Sequence, residues 1–242
     1  MTTLVALRFA GAIALAAGTL SSAAAQAAGP LPQCRIDDVR TRYTQLADWK
    51  KTLLDTTFRL PRTYAPDDLR STAGAGLNGG FKVRRVILPD LRRLATAARA
   101  AHSALAVNSG YRSFQEGKDS FEKYVKQVGY ETAIKYGARP GHSEHQLGTA
   151  IDFRSASSGK APWNYPDWAT TPPGAWMKAH AWEYGFVMSY PRGKRLKTCM
   201  NYEPWHFRYV GVHISRQVHE TGVMLRRFLW EHQGPPTTSR SR

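Results

Sequence analysis

Four residues with metal-ligand or acid–base side chains lie in two short stretches of the second half of the chain. The first stretch, 141–152, contains the imidazole of His145 and the carboxylate of Asp152. The second, 203–206, begins with Glu203 and ends with His206. Two imidazoles and one carboxylate are a sufficient ligand set for a catalytic zinc that keeps one position open. Glu203 then remains as a base for an attacking water.

The surroundings of Asp152 support a buried site. It lies between Ile151 and Phe153, in an apolar segment that predicts a strand. A buried carboxylate needs a partner, and a metal ion is a strong one. The same ligand set also fits a non-haem iron centre or a purely structural metal site. Five other histidines lack such surroundings and are interpreted as structural or exposed: His102, His180, His213, His219 and His232.

Length and composition fit one globular domain. The chain has 242 residues, of which 42% are hydrophobic and 21% charged, as in ordinary globular proteins. Its formal net charge of +16 favours polyanionic partners such as an anionic membrane, an acidic cell-wall polymer or nucleic acid. A basic surface that only improves solubility fits the charge equally well.

The first residues have the pattern of a secretory signal peptide. Residues 1–25 hold one charged side chain, Arg8, before an apolar run and small residues of the A-x-A type. The run is short for a membrane anchor. We therefore expect cleavage near residue 25, an exported mature protein without stable membrane insertion, and no nucleic-acid partner. The tail 234–242 is rich in Pro, Thr, Ser and Arg and is predicted to be disordered.

The two cysteines, Cys34 and Cys199, are predicted to pair because export removes the reducing environment. Closing so long a loop is worth roughly 4 to 5 kcal/mol in the chain-entropy model. Two independent buried thiols are the alternative.

The elements that must position these residues alternate irregularly. Apolar spacing predicts helices over 36–54, from Pro89 to about Ala101, over 114–128, over 176–184 and over 214–230. Strands are predicted at 81–87, 105–107, 149–153, 186–190 and 206–210. A G-x-G-x-x-G match at 74–79 precedes a strand, and we interpret it as a loop rather than a dinucleotide site. The fold class is α+β: a single domain over 26–233 with a small antiparallel sheet flanked by helices.

Three motifs in this order resemble the VanY-type D-alanyl-D-alanine carboxypeptidases. They are Ser-Gly-Tyr-Arg-Ser at 109–113, Ser-x-His-x-x-Gly-x-Ala-x-Asp at 143–152 and Glu-x-Trp-His at 203–206. That family shares its zinc-peptidase fold with lysostaphin-type enzymes and the hedgehog signalling domain. The resemblance extends from about Tyr64 to Tyr209.

The resemblance implies one zinc ion per chain, held by His145, Asp152 and His206. It implies Glu203 as the general base that accepts a proton from the attacking water and later passes it to the leaving amine. It places Arg112 near the scissile peptide and the C-terminal end of the substrate, where a guanidinium suits a carboxylate or a developing oxyanion. Ser143 and Trp205 are implied as substrate-binding residues.

One position departs from the family pattern. Gly117 stands where family members usually carry a glutamine, five residues after the motif arginine, so a polar contact to substrate is missing or relocated. Four aromatic residues are candidates either for a sugar- or peptide-binding cleft or for local core: Trp163, Tyr165, Trp168 and Trp176.

The function expected from the sequence is an exported, monomeric zinc peptidase that hydrolyses the C-terminal D-alanine of peptidoglycan stem peptides in the periplasm or cell envelope. An L,D-carboxypeptidase or an endopeptidase on the same peptides is the nearest alternative. A non-catalytic wall-binding protein with a vestigial metal site is an alternative from another class.

Overall fold

The computed structural model describes residues 29–232. The predicted signal peptide at 1–25 and the predicted disordered tail at 234–242 lie outside the described residues. Within 29–232, no helix combines the length and the apolar character that crossing a membrane requires.

The strands of the described part form three sheets. They are β1 (Val39–Arg40), β2 (Phe58–Arg59), β3 (Leu69–Ser71), β4 (Lys82–Arg84), β5 (Leu105–Ser109), β6 (Ala150–Ser155), β7 (Phe186–Met188) and β8 (His206–Tyr209). The largest sheet has four strands in the order β5-β6-β8-β7, and all its neighbours are antiparallel. The predicted small antiparallel sheet is therefore confirmed. β1 and β2 pair in parallel, and β3 and β4 pair antiparallel.

The described part of the chain also contains α-helices, some of which contact the four-stranded sheet. They are α1 (Leu88–Ala100), α2 (Phe114–Val128), α3 (Tyr130–Tyr136), α4 (Pro172–His180), α5 (Arg195–Thr198), α6 (Val212–Thr221) and α7 (Leu225–Glu231). The predicted helices over α1 and α2 are confirmed. α2 begins with a capping box in which Ser113 and Glu116 satisfy each other's backbone N–H groups. The α+β class is confirmed.

The sheet has one apolar and one polar face. Alternate residues of a strand point to opposite faces, so Ile151 and Phe153 of β6 enter the main core while Asp152 points the other way. In β8, Phe207 joins the same core, and His206 lies on the face of Asp152. Helices α1 and α4 contact each other and the sheet strands β5 and β6 on the core side. The opposite face is thereby left for the polar site.

The helix predicted over 36–54 is wrong. The segment forms β1 and a single 3-10 turn at Leu46–Asp48. Its apolar residues do not share one face: Ile36 is 56% exposed, whereas Leu53 belongs to a separate cluster with Val210. The backbone of residues 37–41 instead pairs with residues 56–59, and these tertiary bonds outweigh helical spacing.

The single helix predicted over 214–230 is also wrong, because the structure divides it into α6 and α7. Gly222 ends α6 with φ 64°, a left-handed conformation that glycine adopts without a steric penalty. The helix predicted over 176–184 begins earlier, at Pro172, and finishes as a 3-10 turn. The strand predicted over 81–87 is shorter, because residues 85–87 form a 3-10 turn into α1.

Cys34 and Cys199 form a disulfide that joins the first described residues to the segment after α5, with Cα atoms 5.2 Å apart. The ion pair between Arg226 and Asp55 (2.6 Å) and the bond from Arg226 to the Pro32 carbonyl (3.1 Å) lie in the same region. The disulfide thus ties the N-terminal segment to the segment after α5, and the hydrogen bond from Arg226 ties it to α7.

We predict that the double variant Cys34→Ser/Cys199→Ser lowers the free energy of unfolding by about 2 to 5 kcal/mol, because the unfolded chain loses a long-range constraint. Denaturant unfolding followed by circular dichroism measures it. The wild-type protein with a reductant is the control and should match the variant. Equal stability of variant and oxidised wild type would contradict the prediction.

Candidate active site

Three buried side chains converge on one point of the polar sheet face. One nitrogen or oxygen atom from each of His145, Asp152 and His206 lies within 4.8 Å of the other two. His145 Nε2 is 3.2 Å from Asp152 Oδ2, and His206 Nδ1 is 2.9 Å from Asp152 Oδ1. Within residues 29–232, this is the one group of histidine, cysteine and carboxylate side chains with metal-ligand spacing.

Strand register brings two of these residues together. Asp152 of β6 pairs directly with His206 at the start of β8, so their side chains stand side by side on one face. His145 enters from the 3-10 helix Glu144–Leu147, which ends at Gly148 before the chain turns into β6. The two sequence stretches therefore meet because β6 and β8 are neighbours in the sheet.

Each imidazole is oriented by a second hydrogen bond. His145 Nδ1 lies 2.7 Å from the Gly110 carbonyl oxygen and must donate to it, which leaves the Nε2 lone pair directed at Asp152. His206 Nε2 lies 3.0 Å from Glu144 Oε2, which leaves Nδ1 on the side of Asp152. Metal-binding histidines are commonly held in this way by a carbonyl or a carboxylate. The donor set and its orientation fit a divalent cation.

The electrostatics of the cluster favour a positive charge at its centre. Burial opposes ionisation of Asp152, but His145 and His206 hold the pKa of its carboxyl well below the usual range. Burial also disfavours charged His206, yet its bonds to Asp152 and Glu144 raise its pKa to about 10. Burial and the nearby Arg112 lower the pKa of His145, so this imidazole is a neutral electron-pair donor.

Glu203 lies beside the three ligand candidates, with Oε2 3.9 Å from His206 Nδ1. Its backbone N–H donates to the Tyr190 carbonyl (3.1 Å), which fixes the turn before β8. Burial raises the pKa of Glu203 to about 8. A carboxyl group with such a pKa can gain and release a proton near neutral pH.

Arg112 and Ser143 face the same cleft. Arg112 Nη1 donates to Ser109 Oγ (3.2 Å) and Nη2 to Ser143 Oγ (3.5 Å). Arg112 and Ser143 line the cavity. Arg112 Nε is buried and has no hydrogen-bond partner among residues 29–232. This guanidinium therefore has donor capacity left for an oxygen-rich ligand.

The cleft above these residues has a volume of about 770 Å³. One wall is a helical stripe of α2 with Gly117, Tyr124 and Gln127, and the other carries Trp163 and Trp205. The two tryptophan rings meet edge to face, with centroids 6.0 Å apart. A space of this size accommodates several residues of an extended peptide.

Of the four aromatic residues considered as cleft lining, Trp163 is placed at the cleft, where it is 53% exposed. Trp168 is fully buried, so the cleft interpretation is wrong for that residue. Tyr165 and Trp176 pack against the main core instead.

Glu144 is a buried residue of the site that the sequence analysis did not single out. It is buried and contacts His206 and Arg208, with Nη1 of Arg208 2.9 Å from Glu144 Oε1. Its position next to His145 is visible in the sequence, but its partners become neighbours only through the sheet.

Known proteins resemble this chain in sequence and in fold. The family model VanY, D-alanyl-D-alanine carboxypeptidase, matches residues 80–212, more than half of the chain. A D-alanyl-D-alanine carboxypeptidase of Enterococcus faecalis (strain ATCC 700802 / V583) is 31% identical over 165 residues, which are 63% of this chain and 58% of that protein. The chain spans between 39% and 65% of the lengths of the curated relatives it matches.

Two solved structures share the fold. The LdcB LD-carboxypeptidase, whose structure reveals the basis of peptidoglycan recognition, has a TM-score of 0.66 at 31% identity over 74% of this chain and 85% of that one. The vancomycin resistance D,D-pentapeptidase VanY of a VanB-type cassette, in complex with Zn(II), has a TM-score of 0.63 at 28% identity over 75% of this chain and 99% of that one.

We predict that Gly110→Ala disturbs the site, because an added Cβ would lie 2.6 Å from the Lys82 carbonyl oxygen and displace the backbone that orients His145. The expected loss of unfolding free energy is about 1 to 3 kcal/mol, with weaker binding of a divalent cation. Thermal unfolding with and without added metal measures both.

Gly117→Ala is the matched control, because a Cβ there meets no atom within 4 Å and the residue lies inside α2. Replacing a glycine inside a helix should leave stability unchanged or raise it by about 1 kcal/mol. A Gly110→Ala protein as stable as Gly117→Ala would show that the close approach is unimportant.

Proposed function

The chain belongs to the VanY family of D-alanyl-D-alanine carboxypeptidases, and from that premise we propose that it is a zinc-dependent peptidase that removes the C-terminal D-alanine of peptidoglycan stem peptides. The observation that carries the proposal is the convergence of His145, Asp152 and His206 on one point at the base of an open cleft. The family relationship supplies the reaction class, and the site supplies residues for each task.

In this proposal the zinc ion is held by His145 Nε2, an oxygen of Asp152 and His206 Nδ1. When bound, zinc polarises the scissile carbonyl and lowers the pKa of water to about 7. The two hydrogen bonds that orient the imidazoles support this assignment, because both leave a lone pair directed at the shared point. The related pentapeptidase is known in complex with Zn(II), which supports zinc as the metal.

Glu203 moves the proton. Its carboxylate accepts a proton from the water that attacks the peptide carbonyl and then donates it to the departing D-alanine nitrogen as the C–N bond breaks. Its position beside His206 and its raised pKa support both halves of this task.

Arg112 and Ser143 bind the substrate. The guanidinium pairs with the terminal carboxylate or the developing oxyanion, and the second N–H groups of Nη1 and Nη2, which Ser109 and Ser143 leave unused, support such a contact. Trp205, with Trp163 beside it, contacts the upstream part of the peptide. The cleft volume is large enough for a stem peptide.

The proposal includes export of the chain after cleavage near residue 25, with the mature domain ending near residue 233. The Cys34–Cys199 disulfide supports an oxidising compartment. The monomeric state and the absence of a nucleic-acid partner stay predictions.

A second candidate is removal of D-alanine from the tetrapeptide by L,D-carboxypeptidase activity. It is favoured by the similarity to LdcB, which is as high as the similarity to the D,D-pentapeptidase. Both candidates use the same metal, base and cleft, and they differ in the residue bound upstream of the scissile bond.

We predict that the purified mature protein shortens muropeptide pentapeptides by one alanine and leaves tetrapeptides intact. Mass spectrometry of separate penta- and tetrapeptide digests measures both, with a chelator-treated sample as control. Shortening of the tetrapeptide alone would replace the first candidate by the second. If neither peptide is cleaved while zinc is bound, the proposed activity is wrong.

We predict that Glu203→Gln lowers kcat by about 100- to 10,000-fold, because the amide cannot accept the proton, while zinc content stays at one per chain. Steady-state kinetics and metal analysis measure the two effects. Glu183→Gln is the control, since Glu183 pairs with His180 on an exposed face and should keep wild-type rates. Wild-type turnover by Glu203→Gln would remove Glu203 from its assigned role.

A further inference from the structure

A buried ion pair lies directly behind one ligand candidate of the site. Glu144 Oε2 accepts hydrogen bonds from Ser189 Oγ (2.6 Å) and His206 Nε2 (3.0 Å), and Glu144 Oε1 accepts from Arg208 Nη1 (2.9 Å). Glu144 is 4% exposed and Arg208 is fully buried. Such a pair is costly to desolvate, so its place behind a ligand invites a functional explanation.

We propose that Glu144, oriented by Arg208, is a positioning residue that fixes which nitrogen of His206 carries the proton and thereby keeps Nδ1 free for the metal. The inference rests on the proposed zinc site, and it assigns a task to two residues that do not belong to the proposed ligand set.

The first step of the argument is the direction of the bond between Glu144 and His206. A carboxylate accepts hydrogen bonds and donates none, so His206 Nε2 must carry the hydrogen. In the neutral ring, which is the form that can bind a metal, the lone pair is then on Nδ1, which lies 2.9 Å from Asp152 Oδ1 at the shared point. The Gly110 carbonyl does the same for His145, but through Nδ1.

The second step is the role of Arg208. Its Nη2 donates to the carbonyl oxygens of Trp49 (2.7 Å) and Thr52 (2.8 Å), which holds the guanidinium in place. A guanidinium has donors only, so the group that it meets through Nη1 must present an acceptor. A carboxylate at position 144 presents such an acceptor to Arg208 in either orientation. A side chain that replaces it must turn an acceptor atom toward Arg208.

An amide at position 144 would therefore adopt one orientation. The single carbonyl oxygen of a glutamine would be directed at Arg208, because the opposite orientation would set its NH₂ group against the guanidinium. The NH₂ group would then face His206 and donate to Nε2, which would move the ring hydrogen to Nδ1. Glu144→Gln thus places a hydrogen on Nδ1 of His206, the atom that must bind the metal.

Glu144→Gln is expected to weaken zinc binding by about 10- to 100-fold, the range found when partners of metal-binding histidines are altered. Competition with a chromophoric chelator measures the zinc dissociation constant, and circular dichroism of the metal-free protein establishes that the variant is folded. Zinc affinity within threefold of wild type in a folded Glu144→Gln protein would overturn the inference.

Asp55→Asn is the matched control, because Arg226 repeats the arrangement of Arg208. Arg226 Nε donates to the buried Asp55 carboxylate (2.6 Å), and its other nitrogens donate to the carbonyl oxygens of Lys197 and Pro32, both at 3.1 Å. Asp55→Asn breaks a comparable buried pair, so a similar loss of stability is expected with unchanged zinc affinity. An equal loss of zinc affinity in both variants would reduce Glu144 to a stabilising residue and overturn the inference.

A measurement on the zinc-loaded wild type decides the question if Glu144→Gln does not fold. Nitrogen-15 NMR of the histidine side chains should show His206 with a hydrogen on Nε2 and none on Nδ1. The opposite tautomer would overturn the inference. A wild-type protein that binds no zinc would instead disprove the proposed function, so the two failures are distinguishable.

Discussion

The structure depends on one constraint: the Asp152 carboxylate is buried in the middle of a sheet strand, where it needs positive partners. Its neighbours Ile151 and Phe153 anchor that strand in the main core, so the carboxylate cannot move to solvent. An unpaired buried charge is very costly, and the positive partners that can compensate it are His206, 2.9 Å away, and a cation held at the shared point. The apolar face of the sheet therefore holds the site together as firmly as the polar contacts do.

A chain of polar contacts links the Asp152 carboxylate to the rest of the structure. His206 lies between Asp152 and Glu144, and Glu144 is neutralised by Arg208. Burial opposes ionisation of Glu144, but the Arg208 charge and the His206 hydrogen bond hold its pKa at about 2. Arg208 in turn caps backbone carbonyls of the segment 49–52, which has no regular strand or helix to satisfy them. The irregular N-terminal region is thus tied to the site through hydrogen bonds.

Sequence reasoning succeeded where local signals and tertiary structure agree. Pro89 and regular apolar spacing predicted α1, and Gly129 marked the end of α2 correctly. The metal-ligand candidates were identified because two histidines and a carboxylate occur in short motifs with a pattern typical of a zinc site. The helix prediction failed over 36–54, where Val39 belongs to a parallel strand pair and Leu53 to a separate core cluster. Glu144 was missed because its partners Arg208 and Ser189 are distant in sequence and come into contact with it only in the folded sheet.

The metal-ligand candidates and the walls of the cleft come from different parts of the fold. Two of the three ligand candidates, Asp152 and His206, lie on strands β6 and β8, where the register and the core behind the sheet fix their side chains. The cleft walls come from α2 and from the loop that carries Trp163, and these elements touch the site without being part of its buried charge network. Gly117 lies on such a wall with free space around its Cα. A side chain can therefore be gained or lost there without disturbing Asp152 or its partners, and the length and chemistry of the bound peptide can change while the hydrolytic centre stays the same.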